Sequence, residues 1–318
     1  MKNNKFICAL LLGGALLWSL PASANSEICR APNGFLDEGI GGTGVKPQGD
    51  DDKGIGGTGG KRIVHRGEED GIGGTGAPIT TAYITGTIYA HGSICVNGLR
   101  ITYDDKTPVR DGQATLPATS LQLGQVVQVV AHKDSKTGAL AAQSVTLLKP
   151  VECEIEAINR QKGTLRVMGE TVQLNGRIDI DRFHEDQGIS VSGMRNADGV
   201  IEASAITEKT EETPDRVVGL IRKDAQGPAF VGDTPSKAQD EHSLPFGKTA
   251  DVQGHWDGRA MKIIRLDHVS PYPTVTNSGY FSIEGYIEKI SEKDKMIRIN
   301  GVDAAVKNLN FINENETV

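Results

Sequence analysis

Beyond residue 20 the sequence holds no apolar run of the roughly 20 residues needed to cross a bilayer, so no later segment reads as a membrane span. Aromatic side chains are scarce, at 5% of residues, while Val, Ile, Thr and Gly are plentiful; that balance favours small β-domains over helical bundles. Positive charge is also in deficit, with 34 Lys and Arg against 41 Asp and Glu, a net −7. Such acidity argues against a nucleic-acid partner or an anionic membrane surface. Catalytic signatures are missing too. There is no Gly-x-Ser-x-Gly, no His-Glu-x-x-His and no Cys-x-x-Cys, and no two of the seven histidines stand at i, i+2 or i, i+4. These absences remove the nucleophile elbow and the sequence-encoded zinc site. No catalytic residue, cofactor or metal is expected. Asp179, Asp181, Glu185 and Asp186 crowd around His184, but such a cluster reads as a solvated loop.

What is present begins with an export signal. Lys2 and Lys5 form a positive start, Phe6 to Leu20 an apolar stretch, and Ala22-Ser23-Ala24 a small-residue cleavage site. Losing residues 1–24 removes two lysines and no acid, moving the net charge from −7 to −9. The expected address is periplasmic or secreted.

An arm follows over residues 25–80, with no sustained apolar period. It carries one glycine sentence three times: Gly39-Ile40-Gly41-Gly42-Thr43-Gly44, Gly54-Ile55-Gly56-Gly57-Thr58-Gly59 and Gly71-Ile72-Gly73-Gly74-Thr75-Gly76. Acidic residues precede each copy: Asp37 and Glu38, Asp50 to Asp52, then Glu68 to Asp70. Four glycines in six residues oppose helix and packed strand, so disorder is expected, with Ile63 to His65 at most a brief extended patch. A phosphate loop would need a terminal Lys and a following helix, which no copy has. A spacer needs composition only, whereas this order is repeated without change. The three copies read either as a flexible spacer or as a linear motif for a protein or envelope polymer, in which case their number raises effective concentration.

From residue 80 the pattern becomes alternating β-branched residues with regular turns. Ile84-Thr85-Gly86-Thr87-Ile88, Glu152-Cys153-Glu154-Ile155, Val217-Val218-Gly219-Leu220-Ile221 and Ile283-Glu284-Gly285-Tyr286-Ile287 lie on one another, the central slot recurring every 66 or 67 residues. A second strand follows each, and tight turns are marked by Asn97-Gly98, Asn300-Gly301, Asp198-Gly199 and Asp257-Gly258. The expected units are 81–149, 151–209, 214–270 and a partial 279–318, each of the first three large enough for a small closed barrel. Short joins suggest a fixed string of beads.

Tandem units opened by Ile-x-Gly-x-Ile, with Ser93-Ile94-Cys95-Val96-Asn97-Gly98 in the first and Gly-Ile-Gly-Gly-Thr-Gly repeats before them, resemble a bacterial exported family catalogued only as a domain of unknown function. The resemblance implies an OB-like small barrel per unit and no established activity or catalytic residues. The fold class expected is all-β, tandem OB-like barrels after a disordered glycine-rich arm.

Without Cys8 in the leader, Cys29, Cys95 and Cys153 remain, an odd number for an oxidising compartment. Alternation sends Ile94 and Val96 inward and Cys95 outward, in a slot where sister units carry Arg166 and Arg298. Cys153 reads as inward and packed. Cys29–Cys95 is the expected disulfide, with Cys95–Cys153 or three free thiols as alternatives. Trp256, between His255 and Asp257 at a hairpin tip, reads first as a local packing plug and otherwise as a possible ligand contact suited to sugar stacking. The functional expectation is a non-enzymatic exported binding or scaffold protein. The alternatives are an ion-binding envelope stress protein using the acidic arm, or a cell-wall glycan-binding protein or enzyme.

Overall fold

The computed structural model describes residue 29, residues 62–64 and, with gaps at 91, 135–136, 211, 225–226, 269–278 and 300–301, residues 81–305. Regular structure among them is strand, relieved by three single 3-10 turns. In the arm lies β1 (Arg62–Val64). A first group holds β2 (Thr81–Ala90), β3 (Ile94–Val96), β4 (Leu99–Thr102), an inserted hairpin of β5 (Val109–Asp111) and β6 (Ala114–Leu116), then β7 (Val126–Lys133) and β8 (Leu140–Leu148). The second holds β9 (Val151–Glu154), β10 (Ala157–Asn159), β11 (Thr164–Val167), β12 (Glu170–Leu174), β13 (Gly188–Arg195) and β14 (Ile201–Glu208). The third holds β15 (Asp215–Lys223), β16 (Ala229–Val231), β17 (Thr234–Lys237), β18 (Thr249–Trp256) and β19 (Met261–His268). Last come β20 (Gly279–Ser291), β21 (Met296–Ile299) and β22 (Val302–Ala305).

In the first group β2 runs antiparallel to β3 and β7, β3 antiparallel to β4, β4 parallel to β8, and β8 antiparallel to β7. The pairings return to their start. The third group makes the same ring through β15, β16, β17, β19 and β18. The second makes it too, its opening strand split into β9 and β10. A closed ring of five strands leaves no unpaired edge.

Two local devices bend the strands into rings. The fourth strand of each group shifts register, between Val130 and Ala131, Ser192 and Gly193, and Gln253 and Gly254. At Gly193 and Gly254 a Cβ would run into the carbonyl oxygens of Glu202 and Lys262 across the ladder. Ahead of each fourth strand stands a 3-10 turn whose closing residue, Leu121, Phe183 or Leu244, is buried. Three residues on, Gly124, Asp186 and Gly247 adopt positive φ and donate their N–H to the carbonyls of Ile88, Ile155 and Ile221 at 2.8, 2.9 and 2.8 Å. Those three isoleucines are fully buried. Each contributes about 1.5–3 kcal/mol by burial, so the device pins the ring at its apolar centre.

The second and third groups share one apolar core, and β9 pairs β15 through Glu152 opposite Arg216 and Val151 opposite Val217. A buried ionic cluster fastens the first group to them. Arg216 donates to both carboxylate oxygens of Asp251 (2.9 and 2.6 Å) and to Asp111 (2.8 Å), and Lys149 bonds Asp111 and Glu152 at 2.6 and 3.0 Å.

The expected string of beads does not hold at its end. β20 lies parallel to β2, from Thr81 opposite Gly279 to Thr85 opposite Ile283, so the last strands return to the first group. Side chains seal the contact: Asn97 donates to Thr85 O and Ser282 Oγ, Glu284 accepts from Thr87 N–H at 2.6 Å, and the Tyr83 and Phe281 rings stack at 5.2 Å. The arm is corrected as well. Expected to be disordered apart from a brief extended patch at Ile63 to His65, it contains β1 at Arg62–Val64, paired antiparallel to β20. A three-residue strand needs a partner from far along the chain, which local pattern does not display.

A candidate ligand groove and a tethered arm

Cys29 and Cys95 form a disulfide, their Cα atoms 5.6 Å apart. Strand alternation puts Ile94 and Val96 in the first core, and Cys95 belongs to a separate cluster with Cys29 and Tyr89, as its outward parity requires. Cys95 is nonetheless buried, because Cys29 covers it and the Tyr89 hydroxyl donates to the Cys29 carbonyl. The expectation that it faces solvent is corrected on that ground. Cys153 is free and buried, and burial pushes its thiol well above the ordinary range, with Asp215 adding to the effect. Such a thiol is chemically quiet at neutral pH.

Trp256 lines a groove between the second and third groups. The groove encloses about 310 Å³, near the lower end for small-molecule sites; its walls are Glu156, Arg166 and Gly169 on one side and Phe230, Asp233, Pro235, Trp256, Gly258 and Arg259 on the other. Three turns place these residues. In the β18–β19 turn Asp257 accepts from the N–H groups of Ala260 and Arg259 at 2.8 Å each, which also lowers its carboxyl from the usual range. Trp256 N–H donates to Asp215 at 2.8 Å, and its half-buried ring packs against the core shared by the second and third groups. In the β16–β17 turn Gly232 takes positive φ beside Glu170, a carboxylate with no exposed surface. Glu170 accepts from Asp233 N–H (2.8 Å) and Thr234 Oγ1 (3.2 Å) and pairs with Arg195. Burial raises its carboxyl above the usual range despite that arginine. The third turn, Met168-Gly169, is so close to Asp233 and Pro235 that a Cβ on Gly169 would stand 3.0 Å from Asp233 O.

The groove is mixed in charge. Arg166 pairs with Glu156 at 3.3 Å, and Arg222 lies 5.0 Å over the Phe230 ring while pairing with Asp233. Two half-buried aromatic rings, Phe230 and Trp256, thus stand beside hydrogen-bonding groups of both signs.

The family model described as Domain of unknown function (DUF5666) matches residues 81–146 and 154–207. The matched stretches cover most of the first two strand groups and under half of the chain. No curated protein and no solved structure matches. No helix among the described residues is long and apolar enough to cross a membrane.

Of the sequence-derived candidates, the structure joins Cys29 to Cys95 and puts Trp256 in a groove; all three glycine motifs and their acidic flanks lie outside the described residues. His184 and His255 are exposed, and Asp181 pairs with Arg160 at the surface. Among the described residues no group of three or more His, Cys, Asp or Glu could hold a metal ion. Sequence reading did not single out Phe230 or Arg259, and marked Arg166 only as an outward slot. Their one signal is that each flanks a tight turn.

Proposed function

We propose that the chain is an exported, non-enzymatic binding or scaffold protein, whose joined strand groups present the arm's glycine motifs to a protein or envelope polymer. The Cys29–Cys95 disulfide carries this reading. It ties the start of the arm to β3 across 66 positions, and all three motif copies fall between its ends. A disulfide fits an oxidising compartment, and the buried cluster around Arg216 gives the arm a body of fixed shape to project from. A second reading, short-glycan binding, is favoured by the aromatic groove at Trp256.

Sedimentation of the purified mature chain with isolated bacterial envelope distinguishes them. The chain is expected to co-sediment. Gly41→Ala with Gly56→Ala and Gly73→Ala is expected to weaken retention by about tenfold or more, since multivalent contacts are lost together, with the melting temperature unchanged. Trp256→Ala should retain binding. Loss on Trp256→Ala alone would transfer the function to the groove, and no retention of the intact chain would remove both readings.

A further inference from the structure

Among the described residues the last strand group ends at its third strand, β22, yet the place of a fourth strand is occupied. In each ring-forming group the residue at the repeated slot of the first strand faces the fourth strand across an antiparallel ladder. Gly86 stands opposite Val127, Cys153 opposite Ile189, and Gly219 opposite Ala250. In the last group that slot is Gly285, and it stands opposite Ile63 of β1, again antiparallel. The slot assignment rests on a separate ladder: Ile287 pairs Ile299 as Ile88 pairs Val96 and Ile221 pairs Val231.

We infer that the last strand group is an acceptor site for an extended peptide strand, and that the chain's own arm fills it through Arg62–Val64 in place of a fourth strand. The ligand class follows from the ladder. Main-chain hydrogen bonds supply the attraction in strand addition, and the residue opposite the slot is apolar in all four cases. The occupant also has the shortest ladder of the four. Its ladder has three residue pairs, against seven for β7 on β2, six for β18 on β15 and four for β13 on β9. β1 lies between Gly59 and Gly71, so the acceptor grips the arm between its second and third glycine motifs. This inference is independent of what those motifs bind.

Hydrogen exchange on the full chain tests it. Ile63→Pro with Val64→Pro removes two successive N–H groups, one of which an antiparallel ladder must use. Protection of residues 284–286 is expected to fall at least tenfold, while residues 81–87 keep theirs against β7. Adding a synthetic peptide of residues 60–67 at millimolar concentration should restore it. Unchanged protection in the variant, or no restoration by the peptide, overturns the acceptor assignment. A second variant guards against local unfolding: Ile63→Cys with Gly285→Cys in the otherwise intact chain. A 63–285 link within one chain is expected. A link between two chains, or none, overturns the assignment of the chain's own arm as occupant.

Discussion

Arg216→Ala is expected to destabilise the protein by about 3–5 kcal/mol, the range for breaking a buried ion pair from one side. The arginine is 6% exposed and its guanidinium bridges Asp251 and Asp111, with Glu152 at 3.9 Å. Truncation leaves Asp251, Asp111 and Glu152 close together with Lys149 bonded to the latter two alone, and all three are largely buried. The loss is larger than that of an ordinary surface pair because the desolvation has already been imposed by the fold. Arg265→Ala is the control. Its pair with Asp267 is exposed, and its removal should leave stability unchanged. Urea unfolding of both variants measures the difference. A loss under about 1 kcal/mol for Arg216→Ala would mean that the cluster is hydrated and does not clamp the strand groups.

Gly219→Ala is expected to cost about 1–3 kcal/mol, the usual range for overpacking. The reason is space, since Gly219 is absent from the positions with positive φ. A Cβ there would stand 2.5 Å from Gly232 N, 2.8 Å from Gly232 Cα and 3.2 Å from the Val231 carbonyl carbon, all backbone atoms of β16 and its turn. Neither strand can yield without breaking the ring. The same slot in the second group already carries Cys153, where the opening strand divides into β9 and β10 instead of running on. At Gly86 the nearest obstacles are the side-chain ends of Asn97 and Glu284. Gly86→Ala should therefore act differently, disturbing the contact between β2 and β20 and not the first ring. Thermal unfolding followed with hydrogen exchange separates the two effects. Equal global losses at both glycines would contradict the distinction.

Much of the fold could be read from local chemistry. Asn97 and Gly98 have φ of 53° and 75°, as the Asn-Gly pair demands, and Gly199 and Gly258 have φ of 85° and 83° after their aspartates. Alternation placed Cys95 on the face away from Ile94 and Val96, which made its pairing with Cys29 legible. The connections that escaped are those with no local trace. Arg216 meets Asp111 across 105 positions and Thr87 meets Glu284 across 197. The positive-φ turn that pins Ile88, Ile155 and Ile221 uses Gly, Asp and Gly, so no single residue type announces it. β1 is three residues long and acquires meaning only from Gly285. In the groove Trp256 was visible by its rarity, whereas Phe230, Arg166 and Arg259 converge only after two groups fold against each other.

The central proposal is an arm released by export and closed onto the first strand group. Mass spectrometry of the full chain expressed with its leader in a bacterial host and alkylated before digestion without reduction tests that most directly. The account predicts a mature N-terminus at Asn25, a peptide pair linked through Cys29 and Cys95, and alkylation of Cys153 only after unfolding. An intact N-terminus with Cys29 and Cys95 both alkylated, or a link between Cys95 and Cys153, would contradict it.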